Sequence, residues 1–165
     1  MPEDAEQRVL RVLEDLGIAY DRYEHPPVLT VEEAQQYRQS TGAHCKNLFL
    51  RNKKGRNHYL LILEHHKQAD LKALTQTLGE DRLSFASARR LERFLGVETG
   101  AVSPFGLIHD RERAVVVLLD RDLQEAEELH FHPNVNTATL RIRAEDFGQF
   151  LAWCGNQVRT IAVRG

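Results

Sequence analysis

Apolar positions along the chain switch repeatedly between a helical and a strand-like period, which predicts a mixed α/β domain. Val9, Leu10, Val12, Leu13 and Leu16 form one helical stripe, closed by Gly17 at the position where a left-handed cap is usual. Residues 18–24 read as a strand ended by His25-Pro26-Pro27, and Thr30 with Glu33 forms a capping box for a helix from Val31 that stops at Gly42. Two β-rich runs, 47–51 and 58–63, flank the polar turn Asn52-Lys53-Lys54-Gly55-Arg56-Asn57 and predict a hairpin. Asp70 and Ser87 are placed to cap helices running to Leu78 and Leu95, closed by Gly79 and Gly96. Residues 114–119 are continuously apolar and too short for most helices, hence a buried strand; 129–131 and 137–142 are shorter strands, and 144–154 is a closing amphipathic helix. With no internal repeat or linker, the pattern gives one α/β sheet domain, flanked by helices, over residues 1–165.

Composition agrees with that size. Of 165 residues 42% are hydrophobic and 28% charged, as in a globular protein with a substantial core. The net charge of −2 means that a nucleic-acid partner would be held by a local basic patch and not by the overall field. The acidic start lacks the pattern of a secretory signal, and no apolar run approaches the roughly 20 residues that span a bilayer, so a cytoplasmic protein without membrane attachment is expected. Two distant cysteines, Cys45 and Cys154, exclude a disulfide framework and a four-cysteine zinc site.

Candidate chemistry lies in three places. Gly100-Ala101-Val102-Ser103-Pro104 joins flexible and rigid backbone around a small hydroxyl residue and can wrap a small ligand with amides, or simply connect two elements. Lys46 stands where its ammonium could project from a strand end to meet a phosphate, carbonyl or ribose oxygen, and Asn47 offers both donor and acceptor; solvated lysine and strand-start asparagine are the plainer roles. His130 and His132 share a strand face, but no further ligands accompany them at metal-like spacing, so no metal is expected; Pro133 turns the chain where His132 could sit at a pocket rim. Ser103 is not in a nucleophile elbow, Cys45 has no evident base, and there is no Walker or Rossmann glycine loop. Covalent catalysis, nucleotide hydrolysis and hydride transfer all lose support.

Five blocks, at residues 42–50, 70–74, 83–87, 100–107 and 131–139, together resemble the YbaK/prolyl-tRNA-synthetase-associated editing domains, most of all their free-standing ProX branch. The resemblance runs in order over nearly the whole chain. It implies an α+β fold with a mixed, mostly antiparallel sheet surrounded by helices. It further implies an aminoacyl-tRNA deacylase that hydrolyses mischarged tRNA(Pro) in trans, with Ala-tRNA(Pro) the expected substrate; a deacylase of Cys-tRNA(Pro) or of another aminoacyl-tRNA, or a noncatalytic tRNA- or synthetase-binding module, are the alternatives. By position the resemblance assigns catalytic roles to Lys46, Asn47 and His132 and substrate binding to Gly100, Ala101, Val102, Ser103 and Pro104, with no cofactor. Cys45 stands where the family pattern has a small hydroxyl residue, and Asn134 where it has an aliphatic one. The partner is the acceptor end of tRNA(Pro), with prolyl-tRNA synthetase as a further partner. Candidate tRNA contacts are Arg51, Lys53, Lys54 and Arg56 in the turn and Arg89, Arg90 and Arg93 on a helix, each of which also fits solvated surface charge.

Overall fold

The structure, a computed structural model, describes residues 4–26 and 43–163. The helix expected after Thr30 lies outside them. α1 (Ala5–Asp15) starts at Asp4, whose carboxylate accepts from the Gln7 amide at 2.7 Å while the Gln7 side chain accepts from the Asp4 amide at 3.3 Å. This capping box is reciprocal. At the far end the Gly17 amide bonds Glu14 O and the Ile18 amide bonds Leu13 O, with Gly17 at φ +72°. Ile18 is thus used up as the buried hydrophobic partner of a Schellman cap, and β1 (Asp21–Glu24) begins later than residue 18.

β2 (Ala43–Arg51) and β3 (His58–Glu64) form the expected antiparallel hairpin, with Asn47 opposite Ile62 and Arg51 opposite His58. Buried Asn52 shapes the turn by accepting from the amides of Arg56 and Asn57. α2 (Leu71–Leu78) and α3 (Ala88–Leu95) carry the predicted caps: Asp70 accepts from Ala73, Ser87 accepts from Arg90, and Gly79 and Gly96 close them in the left-handed region. Between them β4 (Ser84–Phe85) pairs with the end of β2. β5 (Val115–Asp120), β6 (Glu128–Phe131), β7 (Ala138–Arg143) and α4 (Ala144–Cys154) follow the sequence reading, and β8 (Val158–Ile161) adds a strand that it did not contain.

The strands run in the order β1-β7-β6-β2-β3-β5-β8, with β4 on β2. Pairings β1–β7, β7–β6, β2–β3 and β2–β4 are antiparallel, while β6–β2, β3–β5 and β5–β8 are parallel. β2 is therefore the common member of two sheet halves, joined to β6 among the described residues through Ala43↔Leu129 and His44↔His130. One sheet face packs under α1, α3 and α4 around Phe105, Phe131, Phe147 and Phe150; the other packs Leu50, Leu61 and Leu63 under α2. No helix among the described residues is long and apolar enough to cross a membrane.

One buried contact sets an acid limit on the fold. Arg90 Nη1 donates to His58 Nε2 at 2.9 Å, and burial, reinforced by the Arg90 charge, lowers the His58 imidazole to about 4. The unfolded chain, with histidine near 6.5, then binds more protons than the folded one between pH 6.5 and 4, so stability falls as pH falls through that window and levels off below it. Thermal midpoints measured from pH 7 to 4 should drop, and less steeply in His58→Phe; parallel curves would remove His58 as the cause.

Candidate functional site

β2 and β6 part immediately after their two paired residues. Side chains alternate with period two, so Lys46 lies on the same face of β2 as His44, and His132 follows His130, the partner of His44 on β6. The stacking of the His44 and His130 rings, 4.1 Å between centroids, marks that face. Lys46 is half-buried, and its ammonium has no hydrogen bond or ion pair among the described residues; burial lowers its pKa below the ordinary lysine value. It is a cation held ready for an external anion or carbonyl.

His132 sits in the turn between β6 and β7. Its Nδ1 lies 2.9 Å from the Ala138 carbonyl oxygen, which can only accept, so Nδ1 carries a proton and the neutral ring leaves Nε2 as an acceptor. Burial lowers the imidazole below its ordinary value, partly offset by this bond, and nearby His25 adds to the lowering. The His25 ring lies 5.8 Å from that of His132 and its Nε2 lies 2.8 Å from Thr139 Oγ1. Sequence reasoning treated His25 only as the start of a strand-breaking run. No linear signal relates it to His132; the β1–β7 pairing makes them neighbours.

Asn47, one residue from Lys46, faces the opposite side of β2, with Cys45 and Phe49, and its Oδ1 is buried without a partner among the described residues. The Gly100–Pro104 loop borders this same side, since Val102 packs against the core that contains Phe105 and Phe49. The loop consists of two 3₁₀ turns, Thr99–Ala101 and Pro104–His109, joined by Val102 and Ser103. Ser103 is fully buried and its Oγ accepts from the Phe105 amide at 3.0 Å, so its hydroxyl serves as a cap and the loop's free groups are backbone. The Ala101 amide is spent on Glu98 O, whereas the amides of Gly100, Val102 and Ser103 have no hydrogen bond among the described residues.

A cavity of about 420 Å³ lies where this loop meets the turn after His132, lined by Gly96, Gly100, Ala101, Asn134 and Asn136 among others. A Cβ on Gly100 would lie 3.5 Å from Asn136 Nδ2, so the two loops face each other closely. Asn134 holds φ +62°, is 4% exposed, and neither atom of its side-chain amide has a partner among the described residues. Asparagine tolerates that backbone, but a buried unpaired amide is costly and is commonly found where a ligand or water completes it. Lys46 and His132 do not line this cavity. The structure thus forms two groups, Lys46 with His132 on one face and the loop with Asn47 and Asn134 on the other, linked through the His132–Asn136 turn.

Cys45 donates its thiol to Ala43 O, and burial raises the thiol to about 12, which argues against a thiolate nucleophile. Among the described residues no group of three His, Cys, Asp or Glu is arranged to hold a metal ion. The two basic sets, separated in sequence, are joined in space: Arg90 Nη1 donates to Gly55 O at 3.2 Å, docking α3 onto the β2–β3 turn. Arg90 is thereby engaged within the fold, and Arg51 folds onto the carbonyls of Asn52 and Lys53, leaving Lys53, Lys54, Arg56, Arg89 and Arg93 as the exposed members.

An α+β domain with a polar notch at a strand junction and a loop offering free amides is suited to holding a small polar group for hydrolysis, without the elements of a nucleotide-hydrolysing or hydride-transfer site. The chain belongs to the aminoacyl-tRNA editing domain family, whose profile matches residues 25–150. It is thus an aminoacyl-tRNA deacylase, since editing is hydrolysis of the aminoacyl ester. It is 40% identical over 164 residues to the prolyl-tRNA editing protein ProX of Acetoanaerobium sticklandii, covering 99% of this chain and all of that one. It is also 37% identical to the prolyl-tRNA synthetase associated domain-containing protein 1 of Danio rerio, over 91% of this chain and 83% of the relative. A crystal structure described as a candidate trans-editing enzyme for prolyl tRNA synthetase superposes with a TM-score of 0.75 at 25% identity, covering 100% of this chain and 99% of that one.

Proposed function

We propose that this chain acts in trans on mischarged tRNA(Pro), with Ala-tRNA(Pro) as its principal substrate and with prolyl-tRNA synthetase as the partner that generates it. Full-length similarity to a prolyl-tRNA editing protein supports the choice of tRNA. The chemistry is carried by one observation: the backbone amide of Gly100 and the side-chain amide of Asn134 are uncommitted, among the described residues, around one cavity.

In the proposed mechanism the aminoacyl end lies across the His132–Asn136 turn that links the two faces: Lys46, on the side of His132, meets the negative charge that develops on the carbonyl oxygen, and Asn47 and the loop amides, on the other side, hold the rest of the aminoacyl group. A water attacks the carbonyl carbon, the acyl C–O bond breaks, and the terminal ribose oxygen leaves with a proton. His132, neutral and with Nε2 as acceptor, orients the water or takes its proton, and the substrate's own ribose hydroxyl can assist. A synthetase site built for proline rejects the smaller alanine weakly, because missing methylenes change binding by only about 1–3 kcal/mol. A second, smaller hydrolytic pocket corrects this.

The test is a panel of alanyl-, cysteinyl- and prolyl-tRNA(Pro) under single turnover. Alanyl-tRNA should be cleared about 100-fold faster than prolyl-tRNA, and its rate should rise with pH through a value below 6.5 as His132 loses its proton, a limb absent in His132→Gln. Faster clearance of the cysteinyl form would replace the substrate. Tight binding without turnover of any form would leave a noncatalytic module.

A further inference from the structure

Phe85 on β4 is 62% exposed, the most exposed large apolar side chain among the described residues, and nothing in the deacylation chemistry uses it. It borders a groove of about 660 Å³ between α2 and β4, floored by Leu71, Leu83 and Phe85 and edged by Lys72 and Arg82. Both cations are exposed and form no ion pair among the described residues. The neighbouring carboxylates are occupied: Glu80 accepts from Asn52, Asn57 and Tyr59, and Asp81 accepts from the Lys53 amide. Beyond the groove lie the exposed cations of the β2–β3 turn.

Register places this groove relative to Lys46. Phe85 pairs with Leu50, so the two side chains share a face, and Lys46 shares it too, being four residues along β2. At about 3.3 Å per residue the separation along the strand is about 13 Å, a distance that a few nucleotides of single strand cover. An exposed aromatic ring beside unpaired cations is the combination that binds single-stranded nucleic acid, the ring stacking on a base and the cations meeting phosphates. We propose that Phe85, flanked by Lys72 and Arg82, is a stacking platform for an unpaired base near the 3′ end of the RNA whose terminal ester lies at Lys46.

This rests on the RNA substrate proposed above and is tested separately from its chemistry. The probes are an uncharged tRNA(Pro) transcript and a short single-stranded oligoribonucleotide matching its 3′ end, with dissociation constants read by fluorescence anisotropy. Phe85→Ala should weaken both by about 5- to 100-fold, Phe85→Trp should retain or tighten them, and Lys72→Glu with Arg82→Glu should flatten the dependence of affinity on salt. At saturating substrate the single-turnover rate of Phe85→Ala should equal that of the wild type. Unchanged affinity of Phe85→Ala for both RNAs overturns the platform even where wild-type deacylation is normal. So does loss of synthetase association with RNA affinity intact, which would make the groove a protein contact. Should wild type deacylate nothing, the binding series still decides, and only the chemical reading fails.

Discussion

Replacing Lys46 with alanine is expected to lower kcat/KM for alanyl-tRNA(Pro) by about 100-fold or more, the usual cost of removing one preorganised charge-stabilising group. The thermal midpoint should stay within about a degree or two, because the ammonium contributes no hydrogen bond or ion pair to the described residues and surface substitutions away from such features cost little. Catalysis and stability separate here for a structural reason. Lys46 sits two residues past the last β2–β6 pair, where its side chain is partly desolvated without a hydrogen bond or ion pair among the described residues. Deacylation at the wild-type rate by Lys46→Ala would remove this residue from the site, whatever the substrate.

Phe105→Ala is expected to show the opposite balance. Phe105 is fully buried, with its ring edge-on to Phe131 and Phe150 at 5.9 and 5.2 Å, and truncating such a side chain costs about 3–5 kcal/mol. That is a large fraction of the stability of an ordinary domain, and chemical denaturation should show it directly. The same substitution removes the anchor of the Gly100–Pro104 loop, since Phe105 follows the Ser103 cap and the adjoining Gly106 packs against α3 so closely that a Cβ there would meet Leu95 at 2.8 Å. KM should therefore rise below the unfolding transition, while the Lys46-dependent step persists. Wild-type stability in Phe105→Ala would contradict the packing described here.

The parts legible in the sequence are those fixed by local chemistry. Asp70 with Gly79, Ser87 with Gly96, and the polar turn between β2 and β3 each set a boundary through hydrogen bonds within a few residues, and the structure follows them. Long-range partners decided what was not legible. β4 is two residues long and exists through its pairing with β2, and β8 reads as an ordinary tail until β5 is beside it. Strand 43–51 begins earlier than its apolar run because β6 pairs with its first residues. At the candidate site the residue types were visible but their sides were not: Ser103 turned out to cap a 3₁₀ turn, and Arg90 to fasten the hairpin turn to α3. Lys46 and Asn47, adjacent in sequence, diverge to opposite faces.

The two strands that meet at the notch bring His44 and His130 together across 86 residues of chain, whereas the β2–β3 hairpin closes between Arg51 and His58. Loop-closure entropy makes the longer closure costlier by about 2 kcal/mol before any contact repays it. The candidate site therefore sits at a junction costlier to close than the hairpin beside it, and it exists only once both sheet halves are in place to hold it.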